Sequence, residues 1–324
     1  MSLVSKLKAQ MSLPVIGAPM FIVGVPALVI EQCINGVIGS FPALNARPAE
    51  MLDTWLARIE SALDAHRRAH PGARVAPYAV NQIIHQSNDR LDHDLDACVR
   101  HRVPMIITSL RAPDDVVKKV HEYGGVVFHD VISIRHAQKA LEAGVDGLIL
   151  VCAGAGGHAG MVSPFALVRE VRKFFSGPIA LSGSITDGAG ILAAEAMGAD
   201  FAYIGTRFIA TREANAVADY KQAIVDAADT GTVMLNRKST PCVRALRTER
   251  AKAIDREGSF DRAIFKDVRD VYFGGDMEAS LALAGQTVGL IHEVLPVADI
   301  IGRTVEGFHA IRRQQGERSL AGGF

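Results

Sequence analysis

The sequence predicts an α/β fold, a (β/α)8 TIM barrel with a small inserted helical domain, and three observations predict it. Eight short β-rich runs recur along the 324 residues, most of them followed by a helical pattern. The runs show little polar alternation, so both faces of each strand are expected to be buried, as in a parallel sheet. Polar or glycine-rich residues fall at the C-terminal end of nearly every run, where such barrels carry their chemistry. A doubly wound sheet is the rival, but its usual early G-x-G-x-x-G turn is missing.

In order, the runs are "PVIGAP" (14–19), "GVIGSF" (36–41), "APYAVN" (76–81), "PMIITS" (104–109), "GVVFHD" (125–130), "GLILVC" (147–152), "PIALSG" (178–183) and "FAYIG" (201–205). Helices are expected between them, among others over 48–70, 112–123 and 163–175. Two connections, "EAGVDGLIL" (142–150) and "EAMGADFAYIG" (195–205), each read as a helix stopped by a glycine, Gly144 or Gly198, then a buried strand. After the eighth strand the pattern changes. An amphipathic helix is expected over 212–229, a basic irregular stretch over 236–252, and helical patterning again over 279–295. The expected organisation is a barrel from 1–211 and 279–324, with 212–278 as a helical substrate or cap domain over its mouth. The terminal "AGGF" reads as frayed.

Composition bounds the function. Thirty-five basic residues balance 35 acidic ones, leaving no electrostatic footprint for nucleic acid. The stretch from Leu13 to Ile30 is uncharged and follows Lys6 and Lys8, as in a signal peptide or membrane span. Pro14, Pro19 and Pro26 would break such a helix three times, so a buried strand and loop are expected, and no membrane. Cys33, Cys98, Cys152 and Cys242 are far apart with no CxxC pair, which suits a reducing cytoplasm. A homodimer is left open.

The seventh strand ends in "SGSITDGAG" (182–190) and the eighth in "IGTRF" (204–208). These two loops commonly build a phosphate site from backbone N–H groups and hydroxyls. Ser182, Gly183, Ser184, Gly205 and Thr206 supply such groups without a lysine; the bland reading is two tight turns. The sixth strand leads into "AGAGGHAG", where Gly156 and Gly157 with their neighbours would let the loop lie flat against a ligand while His158 projects. His158 can be read as a metal ligand, a packed loop residue or a general base. No second ligand sits at metal spacing nearby, and a neutral imidazole suits proton abstraction. Asn81 ends the third strand with both an amide donor and an acceptor, able to read the edge of a heterocycle.

Together, "GAPM" (17–20), "AVN" (79–81), "AGGHAG" (155–160), "SGS" (182–184) and "IGTRF" resemble the nitronate monooxygenase family, formerly 2-nitropropane dioxygenases, over nearly the whole chain. The resemblance implies an FMN-binding barrel and an oxidoreductase. It implies that Ala18 and Met20 lie against the flavin, that Asn81 bonds its polar edge, and that Ser182, Gly183, Ser184, Gly205 and Thr206 hold its phosphate. His158 matches the family's catalytic histidine. Many members carry a lysine after the histidine of the fifth strand; this chain has Asp130, which leaves His129 as the candidate positive charge beside the flavin. The implied reaction is oxidation of alkyl nitronates, or nitroalkanes, by O2 to carbonyl compound and nitrite. An NAD(P)H-dependent reductase of a quinone or enoyl thioester is the alternative on the same barrel. A flavin-binding barrel without catalysis is the third reading.

Overall fold

A computed structural model describes residues 1–228, 230–236, 242–258 and 281–320. The barrel strands are β1 (Val15–Gly17), β2 (Gly39–Pro42), β3 (Tyr78–Ile84), β4 (Met105–Leu110), β5 (Val126–Val131) and β6 (Gly147–Val151). A short extra strand, β7 (Gly157–Ala159), precedes the last two, β8 (Ile179–Ser182) and β9 (Phe201–Ile204). All eight expected runs are therefore strands. They pair in parallel in the order β1-β9-β8-β6-β5-β4-β3-β2. A parallel bridge between Ile16 and Ile38 joins the two ends: Gly17 N–H donates to the Ile38 carbonyl at 2.7 Å, and Ile38 N–H to Val15 at 3.1 Å. The sheet closes into a (β/α)8 barrel.

Alternate residues divide between two cores. Ile16, Ile38, Ile107, Phe128, Ile149 and Phe201 belong to one buried cluster, and only the lumen can gather side chains from strands all round the cylinder. Val15, Phe41, Val80, Ile106, Val127 and Leu148 face outward and pack beneath the helices. Helices Met51–Ala69, Asp114–Glu122 and Pro164–Arg172 lie within the stretches expected to be helical. The helix Gly188–Met197 starts where Asp187 accepts from the Gly190 N–H at 2.9 Å, and it stops at Gly198, whose φ is 107°. At the N-terminal rim, Tyr78 and His101 bond Glu60, and Arg100 pairs with Asp53; this end of a barrel serves stability.

Beyond β9 the structure corrects two expectations. The segment 212–278 holds helices Ala218–Val225 and Glu249–Glu257, but also strands β10 (Thr232–Leu235) and β11 (Cys242–Leu246), so it is not purely helical. These strands form an antiparallel sheet in the order β10-β11-β7, because "TVML" and "CVRAL" find a partner edge in the loop after β6. Residues 259–278 lie outside the described residues, as does part of the basic stretch, at 237–241, and the terminal "AGGF". The second correction concerns 279–295. From Leu281 onward it is extended, with one 3-10 turn at Gln286–Leu290; the closing helix is Val297–Leu320, packed on Pro26–Ile34 and Gly188–Met197. Gly285 lies against the loop after β6, and a helix there would lose that approach. All four cysteines are buried thiols outside any disulfide. No helix among the described residues is long and apolar enough to cross a membrane.

Candidate active site

The lumen is apolar at its floor and polar at its C-terminal top. Continuing the pleat from Ile38, Ala79, Ile107, Phe128, Ala180 and Phe201 brings Ser40, Asn81, Ser109, Asp130, Ser182 and Tyr203 into the top layer. Three of them form a chain across β3, β4 and β5. The Asn81 amide donates to Ser109 Oγ at 2.9 Å and to the Ile107 carbonyl at 3.1 Å, and Ser109 donates to Asp130 Oδ2 at 2.6 Å. Both Asn81 amide protons are thereby engaged, leaving its carbonyl oxygen as an acceptor for a ligand N–H.

Two groups in this layer keep an enclosed polar atom without a hydrogen-bond partner: Asp130 Oδ1 and the Tyr203 hydroxyl. Buried polar groups are normally satisfied, so the pair points to a ligand. Burial pushes the Asp130 carboxyl up to about 7 against the pull of its Ser109 bond. Burial, and then the charge of Asp130, hold Tyr203 well above its ordinary range. Sequence reading missed Ser109 and Tyr203, although both share strand parity with the lumen residues.

His129 does not join this group. The pleat that turns Phe128 and Asp130 inward turns His129 outward, where Thr108 Oγ1 bonds its Nδ1 at 2.8 Å. Burial, with His136 nearby, lowers its pKa to about 4, so it is neutral at pH 7. It supplies no positive charge to the lumen, and the expectation that it would is corrected.

Around the rim, three loops and a fourth segment meet. Ser182 pairs with Tyr203 at the ends of β8 and β9, so Ser182, Gly183 and Ser184 lie beside Gly205 and Thr206. The Ala18 N–H donates to the Ile204 carbonyl at 2.8 Å, and a Cβ on Gly205 would sit 3.5 Å from Ala18 Cβ and 3.7 Å from Met20 Sδ. Asn45, another residue that sequence reading missed, holds this loop by donating to the Met20 and Gly24 carbonyls. The fourth segment is Gly285–Gln286: Gly285 N–H donates to Thr206 Oγ1 at 2.9 Å, and Gln286 N–H to the Gly154 carbonyl at 3.0 Å.

Close approaches of backbone account for two of the glycines in "AGAGGHAG", Gly156 against this segment and Gly160 against Val151. A Cβ on Gly156 would lie 2.5 Å from the Gly285 nitrogen, and one on Gly160 2.1 Å from the Val151 carbonyl oxygen. Close backbone packing demands these glycines before any ligand does. His158 follows on β7, paired with Val243, while Gly157 pairs with Arg244. It is exposed, and the protein around its strand still lowers its pKa through lost hydration. A neutral, reachable imidazole can accept a proton.

A family model described as "Nitronate monooxygenase" matches residues 56–307. A Staphylococcus aureus protein named "Probable nitronate monooxygenase" is 24% identical over 206 residues, 60% of this chain and 56% of that protein. The chain thus spans little more than half the length of that curated relative. The solved structure of FabK from Thermotoga maritima has a TM-score of 0.81 at 27% identity, covering 98% of this chain and 99% of that one. Nitroalkane oxidase from Streptomyces ansochromogenes, at 20% identity, shares the fold with a TM-score of 0.80 over 96% of this chain and 99% of that one.

Proposed function

Because the chain belongs to the nitronate monooxygenase family, a family of flavin-dependent oxidoreductases that act on small molecules, we propose that it oxidises alkyl nitronates with O2, giving carbonyl compound and nitrite. The flavin in this reading is FMN. The rim and lumen fit it on their own chemistry. The free Asn81 carbonyl oxygen suits the N–H of a uracil-like ring edge, and Gly205 brings bare backbone to the rim beside Ala18 and Met20, where a flat ring could lie. Ser182, Ser184 and the N–H groups near Gly183 and Gly205 would hold a single phosphate. Thr206 joins them: its oxygen already accepts from Gly285, which leaves its hydroxyl proton to donate. Bound there, FMN supplies the electron chemistry, and the protein positions the substrate and excludes competing reactions.

The observation that carries the reading, beside the family match, is the polar lumen top, where the Asn81 carbonyl oxygen, Asp130 Oδ1 and the Tyr203 hydroxyl stand without protein partners. The base in this reading is His158, taken from the family resemblance; it is exposed on the short strand after β6, on the face of the small sheet opposite Arg244 and Cys242. It would take the α-proton of a nitroalkane or orient the nitronate. Asp130, where the family often has lysine, makes the lumen top a protonatable acid instead of a fixed cation. The segment 212–278 acts as the cap over the mouth, since β11 reaches β7 directly beside His158. Cytoplasmic location and a homodimer belong to the same reading.

The test is His158→Asn. Positioned general bases contribute about 10²–10⁴-fold, so neutral nitroalkane oxidation should slow by about that factor while pre-formed nitronate, already deprotonated, slows less. Flavin content should be unchanged. Equal slowing of both substrates makes His158 an orienting group; no slowing of either refutes the assignment. The second reading, an NAD(P)H-dependent reductase of an enoyl thioester or quinone, is favoured by the FabK likeness over nearly the full chain.

A further inference from the structure

Arg244 lies in the middle of β11, between the barrel and the outer sheet, and it is only 9% exposed. A buried guanidinium normally sits against a carboxylate, because taking a charge out of water costs several kcal/mol that only a partner offsets. Among the described residues Arg244 pairs with no carboxylate. Its hydrogen bond runs from Nη1 to Thr232 Oγ1 at 3.2 Å, and its enclosed Nε has no partner at all. Five N–H groups in a fixed fork are thus left mostly unanswered.

The register shows which way this side chain is carried. Arg244 pairs with Met234 across β10 and with Gly157 across β7, and Cys242 shares its face by alternation. Met234 and Cys242 pack in the lumen cluster with Val151, Ala155 and Tyr203. The opposite face, with Val233 and Ala245, packs on Ala251 and Ile254 of helix Glu249–Glu257. Arg244 therefore stands on the barrel side of the small sheet. Its β7 neighbour is a glycine, so no side chain covers it from that strand.

We infer that Arg244 anchors an organic anion whose charge is shared by two oxygens, at the mouth of the barrel. A planar guanidinium matches such a pair of oxygens in two parallel hydrogen bonds. The identification of that anion as a nitronate rests on the function proposed above; a carboxylate has the same shape and charge. The mouth then selects for charge, with the anion seated on the residue whose burial would otherwise go uncompensated.

The test uses the protein as purified, with isobutyrate as a stable near-isostere of propyl-2-nitronate and isobutyramide as its neutral control. Isobutyrate should raise the melting temperature of the wild type, and isobutyramide at equal concentration should not. In Arg244→Met the isobutyrate effect should vanish, and KM for propyl-2-nitronate should rise about 10–100-fold with a smaller change in kcat. Arg244→Lys should recover part of both, since it restores the charge without the fork. Arg244→Met should itself melt no lower than wild type without ligand, because it removes an uncompensated buried charge. An unchanged isobutyrate shift and an unchanged KM in Arg244→Met would overturn the inference. If the wild type oxidises no nitronate but isobutyrate still binds in an Arg244-dependent way, the proposed reaction fails and the anion site stands.

Discussion

Burial pushes the Asp130 carboxyl up to about 7 and the His129 imidazole down to about 4, although the two are chain neighbours. The pleat explains the pairing: one faces the polar lumen top, the other the layer beneath the helices. Their contributions to stability run in opposite directions. Asp130 has a folded pKa above its unfolded value near ~3.9, so its contribution is present below that value and lost as pH rises through about 7. His129 has a folded pKa below its unfolded value near ~6.5, so its contribution is present above that value and lost as pH falls through about 4. Between pH 4 and 7 they mask each other. Asp130→Asn should remove one side: its melting temperature relative to wild type should climb as pH rises across this window. A constant difference from pH 4.5 to 7.5 would contradict the burial of that carboxyl.

At the scale of elements, two rim glycines separate fold from ligand. Gly183 has φ of 122°, and a Cβ there would lie 2.7 Å from the Ala153 carbonyl oxygen, so Gly183→Ala should destabilise the protein itself. Gly205 has a negative φ, and a Cβ there would make only ordinary van der Waals contact with Ala18 and Met20, so Gly205→Ala should keep the melting temperature of the flavin-free protein. Its FMN affinity, followed by quenching of flavin fluorescence, should fall; unchanged affinity would place the flavin elsewhere. The same scale shows what the sequence made legible. All eight barrel strands were visible because buried parallel strands are apolar runs bounded by proline, glycine and helix stops. The small sheet was not, because β7 is three residues, "GHA", with no strand propensity, and its pairing with Cys242–Leu246 is set across a long stretch of chain. Gly285–Gln286 was hidden inside an apolar stretch that reads as helix. The outward turn of His129 could have been found: strict alternation along "VVFHDV" puts Phe128 and Asp130 on one face and His129 on the other. Arg244 lay in a stretch that reads as basic and irregular, and only the folded chain shows that it is buried on the barrel side of the small sheet.

For the whole molecule, the parallel pairing of β1 with β9 and of β9 with β8 brings the loops after these three strands together, and Gly285–Gln286 bonds the loop after β9 to the loop after β6. The polar lumen top lies at the same end, and β10 and β11 bring Arg244 to it from the outer segment. No single loop holds the site, which is why its chemistry emerges only in the folded chain. In the function proposed above this assembly would hold FMN, and the bound flavin would supply the redox chemistry for nitronate oxidation with O2 as the final acceptor. Anaerobic mixing of the yellow protein with propyl-2-nitronate tests that claim directly, with NADH mixed in parallel. The oxidised-flavin absorbance should fall with nitronate and hold with NADH, and admitting air should restore it as nitrite appears. Bleaching by NADH while nitronate leaves the colour untouched would contradict the account and make the reductase reading the correct one.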